Sequence, residues 1–169
     1  MMMKKVLLIA IVFMLNGCYS FKGTTIPLEM KTINIPFFEN NSALVDPNLS
    51  QQFTEAFKER IRTQSRLSIT TQDAHGKFEG NITDYDIKPI SIQDNKNPVA
   101  GANRLTITVN VKYTSTLKGR EKDSFTQPFS AFTDFSLAGQ SLATQQAALN
   151  KKVIDQLTEN IFNRAFAQW

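Results

Sequence analysis

Between Asn103 and Thr116 the chain alternates without a fault. Leu105, Ile107, Val109, Val111 and Tyr113 hold one parity, while Arg104, Thr106, Thr108, Asn110, Lys112 and Thr114 hold the other. Successive side chains of a strand point to opposite faces, so this run demands one dry face and one wet face. A charged loop follows, Lys118-Gly119-Arg120-Glu121-Lys122-Asp123, and Ser124–Phe135 returns beside the first strand, with Pro128 marking an edge or a bulge. The centre of the domain is therefore a long hairpin.

Other strands read less cleanly. In Met30–Phe38 the parity of Lys31, Ile33, Ile35 and Phe37 is the more apolar, which predicts a first strand ending near Pro36. Leu67–Thr71 is a short second strand. A third begins at about Phe78, where Phe78, Gly80 and Ile82 alternate with Glu79, Asn81 and Thr83, and it runs toward Lys88, where Pro89 weakens it. Gln93–Ala102, polar and holding Pro98 and Gly101, reads as a loop.

Two segments carry helical spacing instead. After the Asp46-Pro47-Asn48 turn, with Asn48 or Ser50 as N-cap, Leu49, Phe53, Ala56, Phe57 and Ile61 recur at three- and four-residue steps through Gln64. Gly139 and Ser141 introduce a second helix, roughly Ser141–Ala167. Its stripe is Leu149, Val153, Leu157, Ile161 and Ala165, widened by Ile154, Phe162 and Phe166. The order is strand, helix, two strands, long hairpin, helix. It predicts an α+β fold, with two helices packed on one face of a four- or five-stranded, mostly antiparallel sheet.

The N-terminus has a different character. Lys4 and Lys5 precede an unbroken apolar run, Val6–Leu15, and then Asn16-Gly17-Cys18. A charged start, a short apolar core and a small residue before the cut describe a secretory signal. At about half the roughly 20 residues that span a bilayer, the run is too short for a membrane helix. The lone cysteine directly after Gly17 makes the segment look like a bacterial lipoprotein signal, cut before Cys18 and lipidated there. An ordinary signal peptide with an incidental cysteine is the simpler alternative. The expected division is residues 1–17 as signal, 18–28 as a lipidated tether and 29–169 as one α+β domain.

Composition excludes several classes of function. One cysteine forbids an internal disulfide. Removal of Lys4 and Lys5 with the signal lowers the formal charge from +4 to +2, so the basic balance argues for no nucleic acid. Thirteen phenylalanines beside one tryptophan point to a packed, strand-rich domain. His75, the only histidine, lies in a turn with no nucleophile motif, and a solvated turn histidine is the simpler reading. One histidine and one cysteine build no zinc site. Glu79, Asp84 and Asp86 could act as paired carboxylates on a sugar, but at alternating strand positions they read better as a wet face. No cofactor is expected. Two basic groups, Arg60, Arg62 and Arg66, and Lys118, Arg120 and Lys122 near Lys112, could meet lipid phosphates or could be solvated and balanced by Glu55, Glu59, Glu121 and Asp123.

Several landmarks fall in a recognisable order. They are Cys18-Tyr19-Ser20-Phe21-Lys22-Gly23, Lys31-Thr32-Ile33-Asn34-Ile35, Leu49-Ser50-Gln51-Gln52-Phe53-Thr54, Phe78-Glu79-Gly80-Asn81-Ile82, Asn103 to Val109, and Ile161-Phe162-Asn163. In these the chain resembles the lipopolysaccharide-assembly lipoprotein (LptE) family, in its Bacteroidetes-type form. The resemblance implies a non-catalytic lipoprotein at the inner leaflet of the outer membrane, facing the periplasm. Such a protein plugs and helps assemble an LptD-like β-barrel that delivers lipopolysaccharide to the cell surface. It also implies two helices against a small sheet. The family's lipopolysaccharide-binding residues find no match among these landmarks. The expected contact residues for the barrel or for lipopolysaccharide come instead from the wet strand face and the hairpin tip: Arg104, Thr106, Thr108, Lys112, Lys118 and Arg120. An adaptor or pilot lipoprotein for another envelope complex is the alternative, and a lipid-anchored hydrolase a third, disfavoured by the lack of nucleophile-base pairs.

Overall fold

A computed structural model describes residues 26–44, 46–92 and 99–167. Cys18, the signal segment, the first part of the tether and residues 93–98 lie outside them. The strands are β1 (Thr32–Asn34), β2 (Glu39–Asn40), β3 (Ser68–Ile69), β4 (Gly76–Ile92), β5 (Val99–Ser115) and β6 (Phe125–Ser136), and the helices are α1 (Leu49–Gln64) and α2 (Leu142–Phe166). The sheet order is β3-β1-β4-β5-β6, with β2 also on β4. β4, β5 and β6 are antiparallel, whereas β1, β2 and β3 join in parallel. The fold is α+β, as expected, with six strands where the sequence predicts four or five. The additional strand is β2, which begins just past the predicted first segment after the chain breaks at Pro36.

The break has a local cause. Ile33 and Ile35 point into the core, but the chain re-registers at Pro36, so Phe38 is buried and Phe37 is left exposed. The Phe38 amide donates to Thr54 Oγ1 of α1 at 3.1 Å, and the Phe38 ring packs against Phe53 with centroids 5.2 Å apart. Phe57 and Phe78 continue this aromatic contact at 4.9 Å. Each such ring removed from water stabilises the fold by roughly 1.5–3 kcal/mol.

β4 shifts register in a different way. A bulge lies between Ile82 and Asp84. Phe78 and Ile82 face the core before it, and Tyr85 after it. The extra residue exchanges the faces and keeps Glu79, Asp84 and Asp86 together on the outside. The strand also runs through Pro89, which pairs with Asn103, to Ile92. Among the described residues no strand lines β4 beyond Ile82 on its β2 side, so a residue without an N–H is tolerated there. β5 likewise begins at Val99, inside the segment that reads as a loop.

The central prediction holds. Leu105, Ile107, Val109, Val111 and Tyr113 are all buried, in one core with Phe53, Phe57, Leu157 and Ile161. α1 has the bounds that its periodicity indicates. It starts at Asn48, whose side chain makes no capping bond, and it stops at Ser65, whose hydroxyl donates back to Ile61 O at 2.6 Å. α2 starts on Ser141, whose side chain accepts from the Thr144 amide. Arg60 fastens the two helices: its Nε donates to Thr158 Oγ1 at 3.0 Å and its Nη2 to Asp155 O at 2.9 Å.

Candidate functional site

Both helices cover one face of the sheet, and the other face of β4, β5 and β6 is open. Pleating alone decides what it shows. From β5 it presents Arg104, Thr106, Thr108, Asn110, Lys112 and Thr114; from β6 it presents Thr126, Pro128, Ser130, Phe132 and Asp134. Register sets the pairs across it. Arg104 lies opposite Asp134, Thr106 opposite Phe132, and Thr108 opposite Ser130. On the β4 side Thr108 meets Asp84 and Lys112 meets Glu79.

The charges on this face are paired except for Asp84, which makes no ion pair among the described residues. Arg104 forks onto Asp134 through Nε at 2.7 Å and Nη2 at 2.9 Å. The hydrogen bond from Arg104 holds the Asp134 carboxyl below its ordinary range. Lys77 and Lys112 reach the two oxygens of Glu79 at 2.6 and 4.0 Å. The hydrogen bond from Lys77, then the two lysine charges, hold Glu79 low despite slight desolvation. Lys88 pairs with Asp86. Lys77, Lys88, Arg104 and Lys112 thus balance Glu79, Asp84, Asp86 and Asp134. Thr108 Oγ1 and Ser130 Oγ hydrogen-bond at 3.1 Å between them. The surface is polar and without net charge. Among the described residues its one exposed large apolar side chain is Phe132, 49% exposed, with the Arg104 guanidinium 3.9 Å above its ring centroid.

Four of the expected contact residues, Arg104, Thr106, Thr108 and Lys112, therefore share one face. Lys118 and Arg120 do not. They sit on the β5–β6 hairpin, where Gly119 takes φ +82° and a 3-10 turn, Glu121–Asp123, leads into β6. Arg120 pairs with Asp123 at 3.3 Å; Lys118 makes no ion pair among the described residues. Lys118, Gly119 and Arg120 line a cleft with Leu117 and with Glu29 from the N-terminal segment.

The other basic group is committed elsewhere. Arg60 is held by α2, and Arg66 Nη2 donates to the carbonyls of Ile26 and Pro27, each at 2.8 Å. Ile26 is itself buried, so the folded part takes in residues that the sequence assigns to the tether. His75 is half-buried and, beyond the solvated turn residue that the sequence suggests, acts as a fastener. Its Nδ1 accepts from the Lys31 amide at 3.2 Å and lies 3.0 Å from Thr32 Oγ1, joining β1 to the turn before β4.

A buried polar cluster is the feature that sequence reading passes over. Asn150 Nδ2 donates to Asp46 Oδ2 at 2.7 Å, Tyr85 Oη donates to Asn150 Oδ1 at 3.1 Å, and Gln146 Nε2 reaches both Asp46 and the Tyr85 hydroxyl. The signal was a polar residue, Asn150, inside the apolar arc of α2. The cluster closes the base of a polar cleft lined by Pro47, Asn48 and Gln52. It joins the β2–α1 loop, β4 and α2, and it holds neither a nucleophile nor a metal-ligand set; no cluster of three or more metal-binding side chains occurs among the described residues.

Comparison with known proteins agrees with this architecture. No curated protein matches the chain. Among solved structures, a hypothetical protein from Chlamydia trachomatis superimposes with a TM-score of 0.52 at 11% identity, over 80% of this chain and 98% of its own. Uncharacterized lipoprotein B from Nitrosomonas europaea does so with a TM-score of 0.50 at 12% identity, over 79% of this chain and 80% of its own. At such identities the likeness shows the fold. The model of the family described as LptE, lipopolysaccharide-assembly, matches residues 30–165, nearly the whole folded part. The chain belongs to the LptE lipopolysaccharide-assembly family, whose members are non-catalytic lipoproteins.

Proposed function

We propose that this protein is held in the outer membrane by a lipid on Cys18, faces the periplasm, and plugs and helps assemble an LptD-like β-barrel that delivers lipopolysaccharide to the cell surface. The observation that carries the reading is the open sheet face. A non-catalytic domain acts by binding, and the interiors of large barrels are polar and watered. A plug for such a lumen should be polar, and it should be charge-balanced so that no ion is stranded when water is displaced. The face of Arg104, Thr106, Thr108 and Lys112 has both properties. Lys118 and Arg120, at the hairpin tip, would then lie at the rim of the lumen.

Photo-crosslinkers at Thr108 and Lys112 test this in cells. Capture of a large outer-membrane barrel is the expected result. Depletion should lower the amount of assembled barrel and raise sensitivity to bulky hydrophobic antibiotics. Crosslinks confined to a secretion or pilus complex, with lipopolysaccharide export unchanged, would transfer the protein to the adaptor class.

A further inference from the structure

The place where the chain enters the fold, together with the length of the tether, determines which end of the domain faces the anchor. Ile26 and Pro27 are tied to Arg66, beyond the C-terminal end of α1. Met30 accepts through Sδ from the Tyr113 hydroxyl at 3.7 Å, and Glu29 shares a cleft with Leu117 and Lys118. The entry point therefore lies beside the β5–β6 hairpin, at the end of the sheet where β5 finishes. Only residues 19–25 separate Cys18 from Ile26. Even fully extended, the steps from Cys18 to Ile26 span about 28 Å. From Arg104 to Ser115, β5 alone is about 36 Å long. With the Arg104 end against the membrane, Ile26 would stand farther from the lipid than the tether can reach.

The end so placed has the residues to meet a membrane surface. Leu28 is 78% exposed, the most exposed large apolar residue described. At the same end Lys31, Lys118 and Lys122 are exposed and make no ion pair among the described residues. The acids at this end are Glu29, Asp73, Glu121 and Asp123. Of these, Asp123 is paired with Arg120 and Glu121 accepts from the Gly119 amide. By contrast the open sheet face has its cations already paired, and neither helix exposes a large apolar residue.

We infer that, in the lipoprotein free of its barrel, the hairpin end, through Leu28, Lys31, Lys118 and Lys122, rests on the phospholipid headgroups of the leaflet that holds the anchor, and that the Arg104–Asp134 end points away from it. Lysine ammoniums meet headgroup phosphates, and Leu28 enters the interface. The inference rests on lipidation at Cys18. It adds an orientation and a second, protein-borne membrane contact.

The test uses the full-length lipoprotein in phosphatidylethanolamine–phosphatidylglycerol vesicles. A fluorophore is placed on Glu121→Cys at the hairpin or on Leu137→Cys past the far end of β6, and a nitroxide-headgroup lipid is the quencher. An acylated Cys18 leaves the new cysteine as the only free thiol. At least threefold stronger quenching at 121 than at 137 is expected. Lys31→Glu/Lys118→Glu/Lys122→Glu should reduce that ratio while the acylated protein stays on the vesicles. Equal quenching at both positions, or stronger quenching at 137, with an acylated intact mass would overturn the orientation alone. An unacylated mass would overturn the anchor and the orientation together.

Discussion

Tyr85, the first core residue after the bulge in β4, donates its hydroxyl hydrogen to Asn150 Oδ1 on α2 over 3.1 Å. Asn150 is 1% exposed and passes the contact on to Asp46. Asn150→Ala would leave the Tyr85 hydroxyl and the Asp46 carboxylate short of a partner in the interior. A cost of about 2 kcal/mol is expected, read as a lower urea midpoint at unchanged slope. Lys151→Ala, which removes only an exposed pair with Asp155, should cost no more than about 0.5 kcal/mol.

How far the fold is legible in the sequence follows from which interactions are local. α1 is read correctly to both ends because Leu49, Phe53, Phe57 and Ile61 recur at helical steps and a turn precedes them. The dry face of β5 is read because alternation belongs to a single strand. Phe37 and Phe38 are read the wrong way round because the exchange at Pro36 is decided by Thr54, sixteen positions on. Pro89 reads as a weak point because nothing local says that the edge of β4 is open there. The site divides along the same line. The membership of Arg104, Thr106, Thr108 and Lys112 in one face needs only parity. The neutralisation of Arg104 by Asp134 and of Lys112 by Glu79 needs register, and the approach of Glu29 to Lys118 needs the whole fold.

Gly80 sits where two backbones and a ring converge. A Cβ on it would lie 2.0 Å from the Asn110 carbonyl oxygen and 2.8 Å from Phe38 Cε1. Backbone oxygen in a paired strand has nowhere to move. Gly80→Ala should therefore cost about 3 kcal/mol, at the upper end of overpacking effects. Gly139→Ala provides the contrast: its Cβ would meet nothing, and only the left-handed φ of +77° is strained, at about 1 kcal/mol. Thermal melts of the two variants give the comparison. Equal losses would mean that the contact between β4 and β5 is looser than described.

Tyr113 packs among Phe78, Phe125 and Phe166 with centroids 4.8, 5.7 and 5.8 Å away. Burial, and then the charge of Asp123, push its phenol up to about 12. In the unfolded chain it ionises near 10. Between those values the unfolded state has released a proton that the folded state keeps. The stabilisation is thus complete below pH about 10 and is lost as pH rises toward about 12, on the order of 3 kcal/mol in all. Burial also raises Tyr85, which adds to the same slope. Urea unfolding from pH 9 to 12 should show the decline, and Tyr113→Phe should make it shallower.

Phe132 and Arg104 contribute little to the fold and, on the proposed function, much to the partner. Phe132 is half-exposed and Arg104 lies over it and on Asp134, so both side chains are held still before anything binds. A preordered aromatic and arginine lose little freedom on docking, and these residue types dominate binding energy at protein interfaces. Phe132→Ser should shift stability by only about 0.5–1 kcal/mol, the scale of an exposed cation–π contact. It should nevertheless reduce crosslinking of the barrel from Thr108 several-fold in cells. Thr126→Ser, on the same face of β6 near the hairpin end, should change neither quantity. If Phe132→Ser left the crosslinking yield intact at equal protein levels, the Arg104–Asp134 end of the open face would not be where the barrel binds.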